Sequence, residues 1–137
     1  MSVYVDTSAF YAIVDAKDSN HTPAADTWRR LISAGEYLIT SSYVVTEIIA
    51  LLHHRLGTEV VYRFVQDDLP AVEVEWIDQA THNVALGAML SAPGRSGPSL
   101  TDCVSFEVIR ESRIERVFAY DRHFQGRGFD LVEQRDT

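Results

Sequence analysis

Apolar and polar positions along the chain switch repeatedly between a period of two and a period of 3.6. Ser2–Asp6 (SVYVD) is short, rich in β-branched and aromatic residues, and ends on an acid, so it predicts a strand. The pattern then turns helical to about Asp15, with Thr7 or Ser8 able to cap. Thr22-Pro23 predicts the start of a second helix, because proline suits a first turn; it runs to Ala34 and stops at Gly35. Tyr37–Thr40 predicts a strand. Ser41 or Ser42 then caps a strongly apolar helix that reaches about Leu56 and closes at Gly57. Thr58–Leu69 predicts an amphipathic helix ended by Pro70, and Val72–Trp76 alternates as a strand. Asp78–Leu90 predicts a helix, Ser91–Pro98 a loop, and Ser99 the start of a helix to about Ser112. Arg116–Tyr120 and Phe129–Val132 predict the last two strands.

Strands alternating with helices in this way predict a parallel α/β sheet covered on both faces. Ligands of such sheets bind beyond the carboxyl ends of the strands. At 137 residues, with no internal repeat and no low-complexity linker, the chain reads as one domain, 1–137. Its 46% hydrophobic and 23% charged residues are enough for a core without staples. The lone Cys103 excludes an internal disulfide framework and a multi-cysteine zinc site, and suits a reducing compartment. The opening residues carry no secretory pattern and no run is long enough to span a bilayer, so a cytoplasmic, non-membrane protein is expected.

Net charge is −8, which argues against binding nucleic acid through a generally basic surface. The charge is unevenly spread. Residues 1–94 hold 5 basic and 12 acidic side chains, whereas residues 95–137 hold 7 and 8. Arg95, Arg110, Arg113, Arg116, Arg122 and Arg127 all fall in the second stretch, so a phosphate backbone, if bound, is expected there. The plainer alternative is that these arginines solvate helix faces.

Four acids stand in positions that invite chemistry. Asp6 closes the first strand; a helix cap is its ordinary reading, but Thr7 and Ser8 could serve instead. Glu47 interrupts VVTEIIALL, with Val44 and Leu51 as helical neighbours, so its carboxylate emerges among core residues and needs a partner, a buried ion pair or a metal. Asp102 lies in a first helical turn, where the dipole favours an acid, while Ser99 and Thr101 can cap. Asp121 follows VFAY, repeating the strand-then-acid arrangement of Asp6. Spacings of 41, 55 and 19 residues mean that these acids meet only through the fold. Clustered carboxylates repel, and a hard divalent cation such as Mg²⁺ or Mn²⁺ relieves the repulsion, acidifies water and stabilises charge on a phosphoryl group.

The segments Val5-Asp6-Thr7-Ser8-Ala9, Ser42–Ile48, Leu100–Val104 and Ala119–Phe124 resemble, in order and over essentially the whole chain, the four acidic motifs of PIN domains, and among them the VapC-like toxins. The resemblance implies a Rossmann-like three-layer α/β/α sandwich with a mostly parallel sheet, and Mg²⁺- or Mn²⁺-dependent endonucleolytic cleavage of RNA. It implies that Asp6, Glu47, Asp102 and Asp121 bind metal and catalyse, with Ser8 and Thr101 as supporting hydroxyls. It also implies a homodimer and a cognate antitoxin, or else a free-standing housekeeping nuclease. The chain departs from the pattern at Ala119, where a hydroxyl residue is common, and at Cys103, where alanine is common.

Other readings carry less. His53 and His54 are adjacent and point about 100° apart on a helix, so they cannot chelate one ion together, and His21 and His82 stand alone. His123, beside Asp121, is a candidate RNA contact, as are Arg95 and Arg122. Trp28, Trp76, Tyr62 and Phe64 fit internal packing better than base stacking. No glycine-rich phosphate loop is present, so no nucleotide cofactor is expected. A phospho-receiver module shares the size and acidity but needs a lysine near its aspartate, and the only lysine is Lys17. A catalytically silent RNA- or protein-binding module of the same fold would have no use for all four acids.

Overall fold

The computed structural model describes residues 2–132. Its sheet has four parallel strands, β1 (Ser2–Val5), β2 (Tyr37–Ser41), β3 (Glu73–Glu75) and β4 (Arg116–Phe118), in the order β3-β2-β1-β4. Val3 is in register with Leu38 on one side and Arg116 on the other. Successive side chains of a strand face opposite sides of its sheet, yet Val3, Tyr4 and Val5 are all fully buried. Both faces over β1 are therefore covered, as a parallel strand's continuous apolar run requires.

The covering helices are α1 (Thr7–Val14), α2 (His21–Ser33), α3 (Ser42–Leu56), α4 (Thr58–Arg63), α5 (Gln79–Ser91) and α6 (Leu100–Glu111). Helix α1 packs on α2 and α3, and α5 packs on α6. Phe10 of α1 meets Trp28 and Phe64 edge-to-face, with ring centroids 6.1 and 5.3 Å apart. On the other side, the Tyr4 hydroxyl pairs with Ser105 Oγ of α6 at 2.7 Å. From β1 the chain adds β2 and β3 on one side, then crosses to place β4 on the other. That reversal opens a crevice at the carboxyl ends of β1 and β4.

Several expectations need correction. The helix expected over Thr58–Leu69 is α-helical only to Arg63; Phe64–Asp68 widens into a π turn in which Leu69 N–H reaches Phe64 C=O, and Leu69–Ala71 tightens to 3₁₀. Pro70 has no N–H, and the wider turn keeps Phe64 in the core while Val65, Gln66 and Asp67 stay exposed. The strand expected at Phe129–Val132 is a single parallel bridge between Leu131 and Val117. Trp76 and Tyr62, expected inside, are 77% and 66% exposed, whereas Trp28 and Phe64 are buried. Arg116 is not on the surface: it is buried in β4, with its guanidinium 3.9 Å from Glu36.

Candidate functional site

Beyond β1, Asp6 N–H donates to Phe118 C=O at 3.0 Å, which holds the ends of β1 and β4 together. Asp6 itself caps α1, contrary to the expectation that Thr7 or Ser8 would free it. Its Oδ2 accepts from Ser8 N–H at 3.1 Å and from the Ser8 hydroxyl at 2.6 Å. The same Ser8 oxygen accepts from the backbone N–H of Tyr120 at 2.9 Å and of Asp121 at 3.1 Å. One hydroxyl thus clips the acid after β1 to the turn that carries the acid after β4. The adjacent Ala119 is buried and contributes no polar group.

The other aspartates are caps as well. Asp102 is the N3 member of a capping box: its Oδ2 accepts from Ser99 N–H at 3.0 Å, and Ser99 Oγ accepts from Asp102 N–H at 3.1 Å. The carboxylate that Ser99 was expected to leave free is therefore engaged through one oxygen. Asp121 Oδ1 caps the 3₁₀ turn Arg122–Phe124 by accepting from His123 N–H at 2.8 Å. Capping fixes each carboxylate's direction and occupies one lone pair of one oxygen, leaving the other lone pairs free to bind.

Asp6, Glu47 and Asp121 line one cleft of about 290 Å³, together with Ser8, Tyr11, Asp18, Asn20, Arg55 and Tyr120. Asp102 approaches the group through His123, whose Nδ1 lies 3.0 Å from Asp121 Oδ1 and 3.4 Å from Asp102 Oδ2. Asp6, Asp102 and Asp121 thus lie close enough for their charges to interact, and Glu47 shares the cleft with Asp6 and Asp121, while among the described residues the tightest set of possible metal ligands is Asp102, Asp121 and His123. Glu47 is half-buried at the cleft rim, not submerged, because α3 buries the Val44–Ile48–Leu52 stripe one residue away. Among the described residues no ion pair joins it to Arg55, which instead lies 5.2 Å over the Tyr11 ring. Thr101 is half-buried beside Asp102, and Arg95 and Arg122 are exposed. His123, expected as an outward contact, turns its half-buried ring into the cluster, with Nε2 2.9 Å from Ser96 C=O. Sequence reading missed Asp18 and Asn20, because Asp18-Ser-Asn20 carries only the signature of a turn, and Asp18 Oδ2 does accept from Asn20 N–H at 3.0 Å.

The electrostatics follow from burial. Asp6 is 1% exposed, and desolvation pushes its pKa up to about 7 against the two Ser8 hydrogen bonds, with the charges of Asp102 and Asp121 adding to the rise. Burial also raises Asp102; the Ser99 N–H opposes it, and the charge of Asp121 reinforces it. Asp6 Oδ1 is buried with no hydrogen-bond partner. A desolvated oxygen with no donor, facing other carboxylates, calls for a cation. Oxygen donors of this kind fit a hard divalent ion such as Mg²⁺ or Mn²⁺.

A parallel sheet with an acidic cleft at its switch point is the architecture of one family whose model, the PIN domain, matches residues 3–129. The chain belongs to the PIN domain family. It is 29% identical over 128 residues, 93% of this chain and 95% of the relative, to the 23S rRNA-specific endonuclease VapC20 of Mycobacterium tuberculosis. The crystal structure of that protein, a sarcin–ricin loop cleaving toxin, superimposes with a TM-score of 0.78 at 28% identity, over 93% of this chain and 95% of that one. VapBC2 of Rickettsia felis, solved on a DNA fragment from its promoter, shares the fold with a TM-score of 0.67 at 12% identity, over 96% and 97% of the two chains. No described helix is long and apolar enough to cross a membrane.

Proposed function

We propose that the chain is a metal-dependent endoribonuclease and the toxin of a toxin–antitoxin pair, acting on RNA phosphodiesters in the cytoplasm. The reading is supported by Asp6, Glu47 and Asp121 lining one cleft, by Asp102 reaching Asp121 through His123, and above all by Asp6 Oδ1, buried and unpartnered. Asp6, Glu47, Asp102 and Asp121 would hold Mg²⁺ or Mn²⁺. Such an ion supplies compensation for negative charge on the phosphodiester and makes water easier to deprotonate. The chain's own part is to aim the acids. Ser8 fixes Asp6 through one oxygen and fixes the turn of Asp121 through two amides, and Ser99 fixes Asp102. Rigid, pre-aimed ligands spare the site reorganisation when substrate arrives.

RNA would reach this site past the C-terminal arginines. Arg95 and Arg122 are exposed beside it in sequence, and Arg110, Arg113 and Arg127 line a separate cleft of about 540 Å³ floored by Phe106, Ile109 and Phe129. Likeness to VapC20, itself a toxin, supports a partner antitoxin.

The deciding assay incubates the purified protein with structured RNA, including a sarcin–ricin stem-loop, with Mg²⁺, with Mn²⁺ and with chelator. Endonucleolytic products are expected only with metal. Equal RNA survival with wild type and Asp6→Ala would overturn the nuclease. The toxin reading is tested apart, by inducing the gene alone and together with any small gene that adjoins it. Growth arrest relieved by the neighbour is expected, and harmless induction counts against it.

A further inference from the structure

Ser96 C=O is an acceptor, so the contact at 2.9 Å makes His123 Nε2 the donor and fixes the ring. The other nitrogen, Nδ1, is then turned toward Asp102 Oδ2 and Asp121 Oδ1 at 3.4 and 3.0 Å. Nδ1 is buried and makes no conventional hydrogen bond with either oxygen.

The spacing of these three atoms suits a shared cation. Two ligands about 2.1 Å from an octahedral ion and at right angles to each other stand about 3.0 Å apart. Donor atoms of Asp102, Asp121 and His123 all lie within 4.8 Å of one another, the span of a single coordination sphere. An imidazole whose far N–H is anchored on a backbone carbonyl is the usual arrangement of a metal-binding histidine.

We infer that His123 Nδ1 joins Asp102 and Asp121 as a direct ligand of the divalent ion, making the site a mixed oxygen–nitrogen one. Imidazole is a softer donor than carboxylate, so the site prefers Mn²⁺ to Mg²⁺, and Co²⁺ to both, more strongly than acids alone would. The inference rests on the proposal that the acids hold a divalent ion, and the test separates the two.

The full chain is stripped with chelator, loaded with one equivalent of Mn²⁺ and examined by pulsed electron paramagnetic resonance for ¹⁴N coupling from imidazole. Calorimetric titrations with Mn²⁺, Co²⁺ and Mg²⁺ run alongside. Wild type is expected to show the coupling, and His123→Ala to lose it together with about tenfold or more of its Mn²⁺ and Co²⁺ affinity, with a smaller loss for Mg²⁺. Wild type that binds Mn²⁺ without ¹⁴N coupling overturns the ligand and leaves the nuclease reading intact. Equal losses for all three ions overturn the selectivity. Wild type that binds none of them overturns both, and the first and last of these outcomes, being read on unaltered protein, do not depend on how the variant folds.

Discussion

The carboxylate of Asp6 is divided between two tasks: Oδ2 takes both Ser8 hydrogen bonds, and Oδ1 is buried with no donor. Ser8→Ala removes the Oγ bond to Asp6 and both amide bonds to Oγ. We expect about 1–3 kcal/mol lower stability in chelator, read by urea unfolding, and a roughly 10–100-fold loss of metal affinity, read by titration. Unchanged metal affinity would mean that the hydroxyl serves the fold alone. The raised pKa of Asp6 has its own signature. Between its ordinary value of 3.8 and about 7, the folded protein holds a proton that the unfolded chain releases, so stability is full below that window and falls as pH rises through it. Metal-free protein should therefore lose on the order of a few kcal/mol between pH 4 and pH 7.5, the charge of Asp6 being fully desolvated at the upper end. Asp6→Asn, which keeps a capping oxygen, should flatten that slope and abolish the thermal shift produced by Mn²⁺. A pH-independent melting temperature for the stripped wild type would contradict this.

Elements are where sequence reading succeeded and failed for identifiable reasons. β1, β2, β3 and β4 and five of the helices were legible because burial on one or both faces imposes a period, and the helix caps are local chemistry. The π turn at Phe64–Asp68 was not, because the packing it accommodates, Phe64 against Phe10, is a contact across the fold. The missing last strand fails similarly: a strand needs a partner along its length, and only Leu131 finds one, at Val117. Of the site, the residue types and their placement at strand and helix ends were legible. Which oxygen of each acid is already engaged was not, because the caps compete with candidate neighbours that sequence cannot rank. The other half of the capping box of α6, Ser99 Oγ accepting from Asp102 N–H, can be measured alone, because the Ser99 N–H bond to the carboxylate survives substitution. Ser99→Ala should cost about 1 kcal/mol of stability, whereas Ser99→Gly should cost only a few tenths. If Ser99 acts only through the cap, metal affinity will follow the same ranking, and a larger metal defect in Ser99→Gly would show that chain stiffness before Asp102 matters more.

For the molecule as a whole, the problem is a net charge of −8 on a protein read as an RNA enzyme. A bound cation neutralises part of the charge where the phosphodiester must sit, and the remaining attraction has to come from localised arginines. Arg113 is informative here. It ends α6 with a left-handed φ of 51°, the position where glycine is easiest, while Ile114 N–H closes the helix on Ile109 C=O at 3.0 Å. Its side chain lines the same cleft as that of Arg127, which stacks 4.7 Å over Phe106. If single-stranded RNA runs along this cleft, each arginine displaces counterions, and removing both should lower the log–log salt dependence of binding by about 0.7 per contact. Fluorescence anisotropy of Arg113→Ala/Arg127→Ala against a labelled RNA across a salt series, in Mn²⁺, measures that slope. A double variant that melts normally, binds Mn²⁺ normally and keeps the wild-type slope would place the RNA elsewhere, with Arg95 and Arg122 as the remaining exposed cations of the site's own loops.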